Sequence, residues 1–166
     1  RLSAVDGKGG SWTLKDSIAL ASALRDFNID MLDVSSGGIT GPSNMPMVPR
    51  IPAYQASFAG RIRHQANIST IAVGGITTAQ QAEDILQSGD ADMIAMAREL
   101  LWNADWPAHA AQSLGMDDPF SYLPIGYAHR LRQRENQKKM IVNRDKKLIE
   151  KNLDFFLGNG SPPAGS

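Results

Sequence analysis

Two glycines and one arginine stand directly after apolar stretches of the sequence and could together bind a phosphate group. Gly74 and Gly75 follow residues 70–73, and Arg98 follows residues 93–97. Glycine lets a backbone N–H approach an anion closely, and arginine donates forked, charge-assisted hydrogen bonds to phosphate oxygens. A tight strand-to-helix turn would also explain the glycines, and a solvated helix start would also explain Arg98. The helix dipole disfavours a cation at that position, and a bound anion would remove the objection.

Other polar side chains of the sequence offer weaker chemistry. Ser35 and Ser36 end a further apolar stretch, but serines in turns are more often caps than nucleophiles, and no Gly-x-Ser-x-Gly elbow surrounds them. The spacing of His64, His109 and His129 does not fit a metal site. The sequence has no cysteine, which excludes a thiolate nucleophile, a disulfide and a Cys-based metal site within these residues. We therefore predict binding residues, but assign no catalytic residue and no metal ligand.

The candidate residues fall between alternating predicted strands and helices. Apolar or β-branched runs predict strands over residues 1–5, 31–35, 70–73 and 93–97. Helical spacing of apolar residues predicts helices over residues 14–26, 54–66, 79–88 and 106–114. The strands are too uniformly apolar to have a solvent-exposed face. This pattern is typical of a parallel sheet covered by helices. The sequence therefore predicts an α/β fold in which the ends of neighbouring strands share one edge.

Local signals mark two helix starts and one long loop. Thr13 with Asp16, and Thr78 with Gln81, resemble capping boxes. Residues 40–53 contain four prolines, which predict an irregular loop over the end of the second strand. Loops of this length in compact domains are often functional.

The overall charge conceals two oppositely charged parts. The 166 residues carry 17 Lys and Arg against 17 Asp and Glu. Residues 1–129 hold 8 basic and 13 acidic side chains, whereas residues 130–151 hold 9 basic and 3 acidic ones. We predict that this basic stretch, residues 130–151, is helical. Because it lacks interleaved aromatic residues, we favour a solvated or subunit-contacting helix over a nucleic-acid site.

Composition excludes some classes of protein. Hydrophobic residues at 42% and charged residues at 20% are ordinary for a globular domain and exclude a disordered chain. No apolar run approaches the roughly 20 residues needed to cross a bilayer. No leader is recognisable at the start, so we expect a cytoplasmic protein without a membrane partner. Since the first residue is Arg1 rather than Met, we also expect a piece of a longer protein.

Several segments carry a family resemblance. They are Arg-Leu-Ser-Ala at 1–4, Asp-Val-Ser-Ser-Gly at 33–37, Ala-Val-Gly-Gly-Ile-Thr at 72–77, Gln-Ala-Glu-Asp-Ile-Leu at 81–86, Ala-Asp-Met-Ile-Ala-Met-Ala-Arg-Glu-Leu-Leu at 91–101, and Trp-Pro at 106–107. In this order and at these separations, they resemble the C-terminal half of the old yellow enzyme family, in its bacterial thermophilic-like branch of flavin ene-reductases. The resemblance extends to about residue 132.

The resemblance implies a (β/α)8 TIM barrel that holds FMN at the C-terminal ends of its strands. As the C-terminal half, this chain would supply strands five to eight. A complete barrel takes about 250 residues, so 166 residues with four βα units would be a half-barrel with an extension. The resemblance implies an FMN-binding half-barrel over residues 1–132. Beyond it, composition predicts a basic helical extension over residues 133–157 and a disordered tail over residues 158–166.

The resemblance also implies roles for individual residues. The implied FMN contacts are Arg1, Ser35, Ser36, Gly74, Gly75, Ala97 and Arg98. The first of these would lie beside the N1/C2 carbonyl edge of the flavin, where a positive charge stabilises the anionic reduced ring. The last two match the family's phosphate-binding pair, with the glycines in the neighbouring phosphate loop. The two serines would line the flavin ring and the ribityl chain.

The activity that the resemblance implies is oxidation of NADPH and transfer of hydride through FMN to an activated C=C bond. In the family, the substrate-binding His pair lies on a strand before the position of Arg1. The isolated chain is therefore expected to be inactive, with the missing N-terminal half-barrel and an electrophilic alkene as its partners. We also expect a homo-oligomer, because some relatives reach into a neighbouring active site with residues that correspond here to Tyr127 and Arg132.

Two other functions remain open from the sequence. The chain could be a non-catalytic half-barrel that binds phosphate weakly and associates through its open sheet edges. It could also be part of another phosphate-binding barrel enzyme, such as an isomerase or an aldolase. The absence of lysines and carboxylates at the predicted strand ends, apart from Asp6 and Asp33, counts against an isomerase or an aldolase.

Overall fold

A computed structural model describes residues 1–6, 11–36 and 50–158 of the chain, without the side chains of residues 151 and 154–156. The chain divides into two compact units, Arg1–Met116 and Asp117–Ser166. The last helix of the predicted strand–helix pattern, over residues 106–114, ends just before this division. The predicted domain boundary after residue 132 follows the extent of the family resemblance and stays a prediction. Most of the predicted proline-rich loop and of the predicted tail lies outside the described residues.

The described part of the first unit alternates strands and helices, as predicted. In chain order the elements are β1 (Leu2–Ser3), α1 (Leu14–Asp26), β2 (Met31–Ser35), α2 (Ala56–Ala66), β3 (Ser69–Val73), α3 (Ala79–Gln87), β4 (Met93–Ala95), α4 (Arg98–Trp102) and α5 (Trp106–Ser113). Both predicted capping boxes are formed: Thr13 with Asp16 begins α1, and Thr78 with Gln81 begins α3. Each satisfies backbone N–H groups that a helix start leaves without intrahelical partners.

The four strands form one parallel sheet in the order β1-β2-β3-β4. The registers pair Leu2 with Val34, Val34 with Ala72, and Ala72 with Ile94. Sequential order without reversal is the order of strands in a (β/α)8 barrel, whereas a doubly wound sheet reverses its order at a switch point. The α/β class and the parallel sheet are therefore confirmed.

The two faces of the sheet differ in burial. Leu32 and Val34 of β2 and Ala72 of β3 are buried in the core formed with the helices, whereas Asp33 and Ile71 are only half-buried. Because side chains of a strand alternate between faces, the helices cover one face and leave the other partly open within this chain. The prediction that the strands have no solvent-exposed face therefore holds only for the face that the helices cover.

A charged cluster joins α2 to the residues before β4, near the N-terminal ends of the strands. The guanidinium of Arg63 donates to both carboxylate oxygens of Asp92 at 2.9 Å, and also to the backbone oxygen of Gly89 at 3.2 Å. Asp92 Oδ2 accepts a further bond from the backbone N–H of Thr70 at 2.9 Å. The hydrogen bonds from Arg63 are the main reason why the pKa of Asp92 lies below its ordinary value. This cluster ties α2, β3 and β4 together away from the predicted binding edge.

The second unit contains one long helix, α6 (Ile125–Phe156). It begins five residues before the predicted basic segment, directly after Pro124. Arg132 donates to both carboxylate oxygens of Asp118 at 3.1 and 2.6 Å, an exposed ion pair within this unit. In the described part of the chain, no helix combines the length and the apolar character that crossing a membrane requires.

Candidate functional site

The predicted phosphate-binding residues lie at the C-terminal ends of adjacent strands. The register of β3 with β4 pairs Val73 with Ala95, and Gly75 and Ala97 each follow two residues after that pair. Arg98 comes next and is the first residue of α4. Because the two strands are parallel, the glycine turn and the start of α4 occupy the same edge of the sheet.

Both glycines adopt backbone conformations that other residues avoid. The φ angles are +105° at Gly74 and +70° at Gly75. A Cβ on Gly74 would collide with the carboxamide of Gln55 and would come within 3.0 Å of Tyr54 Cε1. A Cβ on Gly75 would lie 3.1 Å from the backbone oxygen of Ile51. The glycines are therefore required by the packing of residues 51–55 as well as by their own φ angles.

Two hydrogen bonds of Gln55 connect the ends of β2 and β3. Its Oε1 accepts from the hydroxyl of Ser36 at 2.8 Å, and its Nε2 donates to the backbone oxygen of Val73 at 3.0 Å. Gln55 is only 4% exposed. The backbone N–H of Ala53 adds a bond to the oxygen of Gly75 at 3.1 Å. The chain that leads into α2 therefore supports the glycine turn.

Ala97 and Arg98 present backbone and side-chain donors at the neighbouring strand end. Ala97 precedes α4 without a side-chain cap, so within the part of the chain that the structure describes no side chain satisfies the first N–H groups of this helix. Arg98 is exposed, and within the described residues it has no ion pair or side-chain hydrogen bond. A positive side chain beside uncapped N–H groups is a donor set suited to a phosphate.

Arg1 is held by a carboxylate on the open face of the sheet. It directly precedes β1, level with the middle of β2, whereas each of the other candidates ends a strand or follows one. Its Nε donates to Asp33 Oδ2 at 2.8 Å, and a terminal guanidinium nitrogen lies 2.7 Å from the same oxygen. Asp33 Oδ1 is buried without a partner among the described residues. The pair fixes the position of the guanidinium while 62% of the Arg1 side chain stays exposed.

Ser35 and Trp106 hold the edges of the site. The hydroxyl of Ser35 donates to the backbone oxygen of Leu2 at 3.4 Å, a long bond that joins β2 to β1. Trp106 Nε1 donates to the backbone oxygen of Thr77 at 2.9 Å, which attaches the start of α5 to the segment after the glycine turn. Ser35 and Ser36 therefore make contacts between strand ends, as capping or bracing serines do.

Two residues of the site were not predicted from the sequence. Asp33 could have been recognised, because a carboxylate inside an otherwise apolar strand needs a partner, and Arg1 is the cation on the adjacent strand. Gln55 gave no comparable signal, since a glutamine at the start of a helix is common on protein surfaces. Among the described residues, no three His, Asp or Glu side chains cluster in a way that could hold a metal ion.

The arrangement fits the phosphate end of a flavin mononucleotide. The phosphate needs donors and positive charge, which the start of α4 and Arg98 supply beside the glycine turn. The flavin ring would need a wide apolar surface beside Arg1, and the open face of β2 and β3 offers Met31, Ile71 and Val73 at half burial. The chain thus carries groups for both ends of such a cofactor.

Comparison with known proteins gives consistent matches. The model of the NADH:flavin oxidoreductase / NADH oxidase family matches residues 1–117. The NADPH dehydrogenase of Geobacillus sp. (strain WCH70) is 45% identical over 116 residues, which cover 69% of this chain and 33% of that protein. The NADPH dehydrogenase of Halalkalibacterium halodurans is 47% identical over 115 residues, with the same two coverages of 69% and 33%. That of Bacillus licheniformis is 42% identical over 124 residues, or 74% of this chain and 35% of the relative.

Two facts follow from these lengths. The chain spans about a third of the length of the curated relatives that it matches. The family match ends at residue 117, one residue after the end of the first compact unit at Met116. The long helix α6 therefore lies beyond the region that the family model describes.

Proposed function

The chain belongs to the NADH:flavin oxidoreductase / NADH oxidase family, and from this premise we propose that it forms the phosphate-binding part of an FMN site in an NADPH-oxidising ene-reductase. The observation that carries the proposal is the position of the glycine turn at 74–75 and of Ala97–Arg98 at adjacent strand ends. The N–H groups at the start of α4 and the Arg98 guanidinium bind the phosphate. Ser35, the last residue of β2, and Ser36 line the ribityl side.

Arg1 and Asp33 act together on the flavin ring in this proposal. When bound, FMN supplies hydride transfer from NADPH to an activated C=C bond. The guanidinium of Arg1 provides fixed positive charge beside the pyrimidine edge of the ring, which favours extra negative charge there. Asp33 keeps that guanidinium in place by accepting its 2.8 Å hydrogen bond. The protein therefore reorganises little when the electron density of the flavin ring changes.

The complete reaction requires more of the protein than this segment, because the chain spans about a third of the relatives' length. We propose that four further βα units close the barrel over the open face and supply the groups that bind the electrophilic alkene. On this account the isolated chain binds cofactor but does not turn over substrate. We also propose a cytoplasmic homo-oligomer, in which Tyr127 and Arg132 lie near a neighbouring subunit.

A non-catalytic half-barrel is the second candidate, and the exposed edge of the sheet favours it. Within the described residues, β1 and β4 each pair on one side only, and Met93 of β4 is 52% exposed. Unpaired strands with exposed apolar side chains recruit further strands. In this alternative the edges bind a second copy of the chain, and phosphate binding is weak and unrelated to catalysis.

A purified sample separates the two candidates. The proposal predicts that the 166-residue chain takes up FMN, shows a yellow flavin spectrum, and binds FMN more tightly than riboflavin, which lacks the phosphate. A colourless oligomer that binds neither compound, or that binds both equally, would contradict the FMN proposal. In that case the remaining candidate would be the non-catalytic half-barrel that associates through its exposed sheet edges.

A further inference from the structure

We infer that Gln55 is a positioning residue that sets the place of the glycine turn at 74–75 for phosphate binding. The inference rests on the proposed function, since it concerns the geometry of the same FMN phosphate site. Gln55 is not offered as a ligand of the phosphate, because both ends of its carboxamide are already occupied by protein groups.

The first argument is where the two bonds of Gln55 lie in the sheet. The pairing of β2 with β3 ends at Val34 opposite Ala72. Val73 and Ser36 lie beyond this last pair, and the carboxamide of Gln55 bridges them with bonds of 3.0 and 2.8 Å. A side chain therefore continues the connection between the two chain segments after the strand ladder has ended.

The second argument is that the bridge demands a carboxamide. The backbone oxygen of Val73 can only accept a hydrogen bond, so the group that faces it must be the NH2 of Gln55. The oxygen of the carboxamide then faces the Ser36 hydroxyl, which can donate. A glutamate at this position would direct a carboxylate oxygen at the Val73 carbonyl, and a methionine would leave both partners without their bond. Because the site is 4% exposed, water cannot easily replace the lost partner.

The third argument is the close packing of Gln55 on the turn. Its carboxamide occupies the space beside Gly74 where a Cβ would lie, and Tyr54 closes the same space from another side. The turn consequently rests against Gln55 and cannot move towards it. Displacement of this side chain would allow Gly74 and Gly75 to shift, and a phosphate site loses affinity when its donors move by a fraction of an ångström.

The test compares FMN with riboflavin by fluorescence titration of the full 166-residue chain. The ratio of the two dissociation constants isolates the phosphate contribution. We expect Gln55→Met and Gln55→Glu to reduce the preference for FMN by about tenfold, with riboflavin affinity nearly unchanged. Gln80→Met is the matched control, because Gln80 is an exposed helix glutamine whose side chain, among the described residues, bonds to Asp84 of its own helix.

The outcomes separate failure of this inference from failure of the proposed function. If the wild-type chain does not prefer FMN over riboflavin, the proposed phosphate site is wrong. If the wild type prefers FMN and both Gln55 variants keep that preference, only the role of Gln55 is wrong. A parallel loss of both affinities would show a general structural role and would equally overturn the inference. Should neither Gln55 variant fold, Gln55→Asn keeps the carboxamide but shortens the side chain by one methylene, which withdraws it from Ser36 and Val73, and it carries the same comparison.

Discussion

The carboxamide of Gln55 occupies the space that a side chain on Gly74 would need. Gly74 also has a φ angle of +105°, which non-glycine residues rarely adopt. We therefore expect Gly74→Ala to lower the free energy of unfolding by more than the ~1–3 kcal/mol typical of a strained backbone position. Chemical denaturation of the purified variant measures this loss.

Gly115→Ala is the matched control for that substitution. Gly115 has a φ angle of +74°, and apart from its own chain neighbours no atom of the described residues lies within 4 Å of the position of an added Cβ. It should therefore show the cost of the backbone conformation alone, about 1–2 kcal/mol. Equal losses for the two variants would contradict the tight packing of Gln55 on the turn.

The hydrogen bond from Trp106 to Thr77 should contribute measurably to stability. Trp106→Phe keeps most of the apolar surface but removes the 2.9 Å bond to the Thr77 oxygen, so we expect a loss of about 1 kcal/mol in the free energy of unfolding. Trp102→Phe serves as the control, because Trp102 is 87% exposed and its substitution should change stability little. If Trp106→Phe is as stable as Trp102→Phe, the bond does not anchor α5.

The ion pair of Arg63 and Asp92 predicts a dependence of stability on pH. Hydrogen bonds from Arg63 and Thr70 lower the pKa of Asp92 in the folded state. A carboxylate with a lowered folded pKa stabilises the fold above its unfolded pKa of about 3.9, and this stabilisation disappears as the pH falls through the folded pKa. Asp92→Asn should thus be clearly less stable than the wild type at pH 7, and this difference should shrink below about pH 4.

Thermal unfolding at several pH values checks this expectation. Asp30→Asn is a suitable control, because Asp30 is an exposed aspartate between α1 and β2. A constant difference between Asp92→Asn and the wild type from pH 7 to pH 3 would show that the ionised carboxylate does not stabilise the fold.

Local sequence signals were sufficient to predict most of the fold. The capping residues Thr13 and Thr78 mark the starts of α1 and α3, because a hydroxyl that satisfies a free N–H acts within one turn. The predicted range of β2 agrees with the structure residue for residue. The short helix α4 was not predicted as a separate element, since five residues without a side-chain cap give no periodic pattern.

The candidate site was predictable only where its residues follow strands. Gly74, Gly75 and Arg98 were found because a strand end is visible in the sequence. The partners of Gln55 are 19 and 18 residues away along the chain, and Arg1 and Asp33 are separated by 32 residues. Such contacts depend on the register of the sheet, which no local pattern specifies.

The role of Arg98 tests the central claim, that this chain carries an FMN phosphate site, most directly. The measurement is the ratio of riboflavin to FMN dissociation constants for the wild type, for Arg98→Ala, and for Arg61→Ala as an exposed arginine of α2. We predict that Arg98→Ala weakens FMN binding by about tenfold or more without changing riboflavin binding, because a charge-assisted bond to phosphate is lost. Arg61→Ala should match the wild type. An unchanged ratio in Arg98→Ala would contradict the phosphate site.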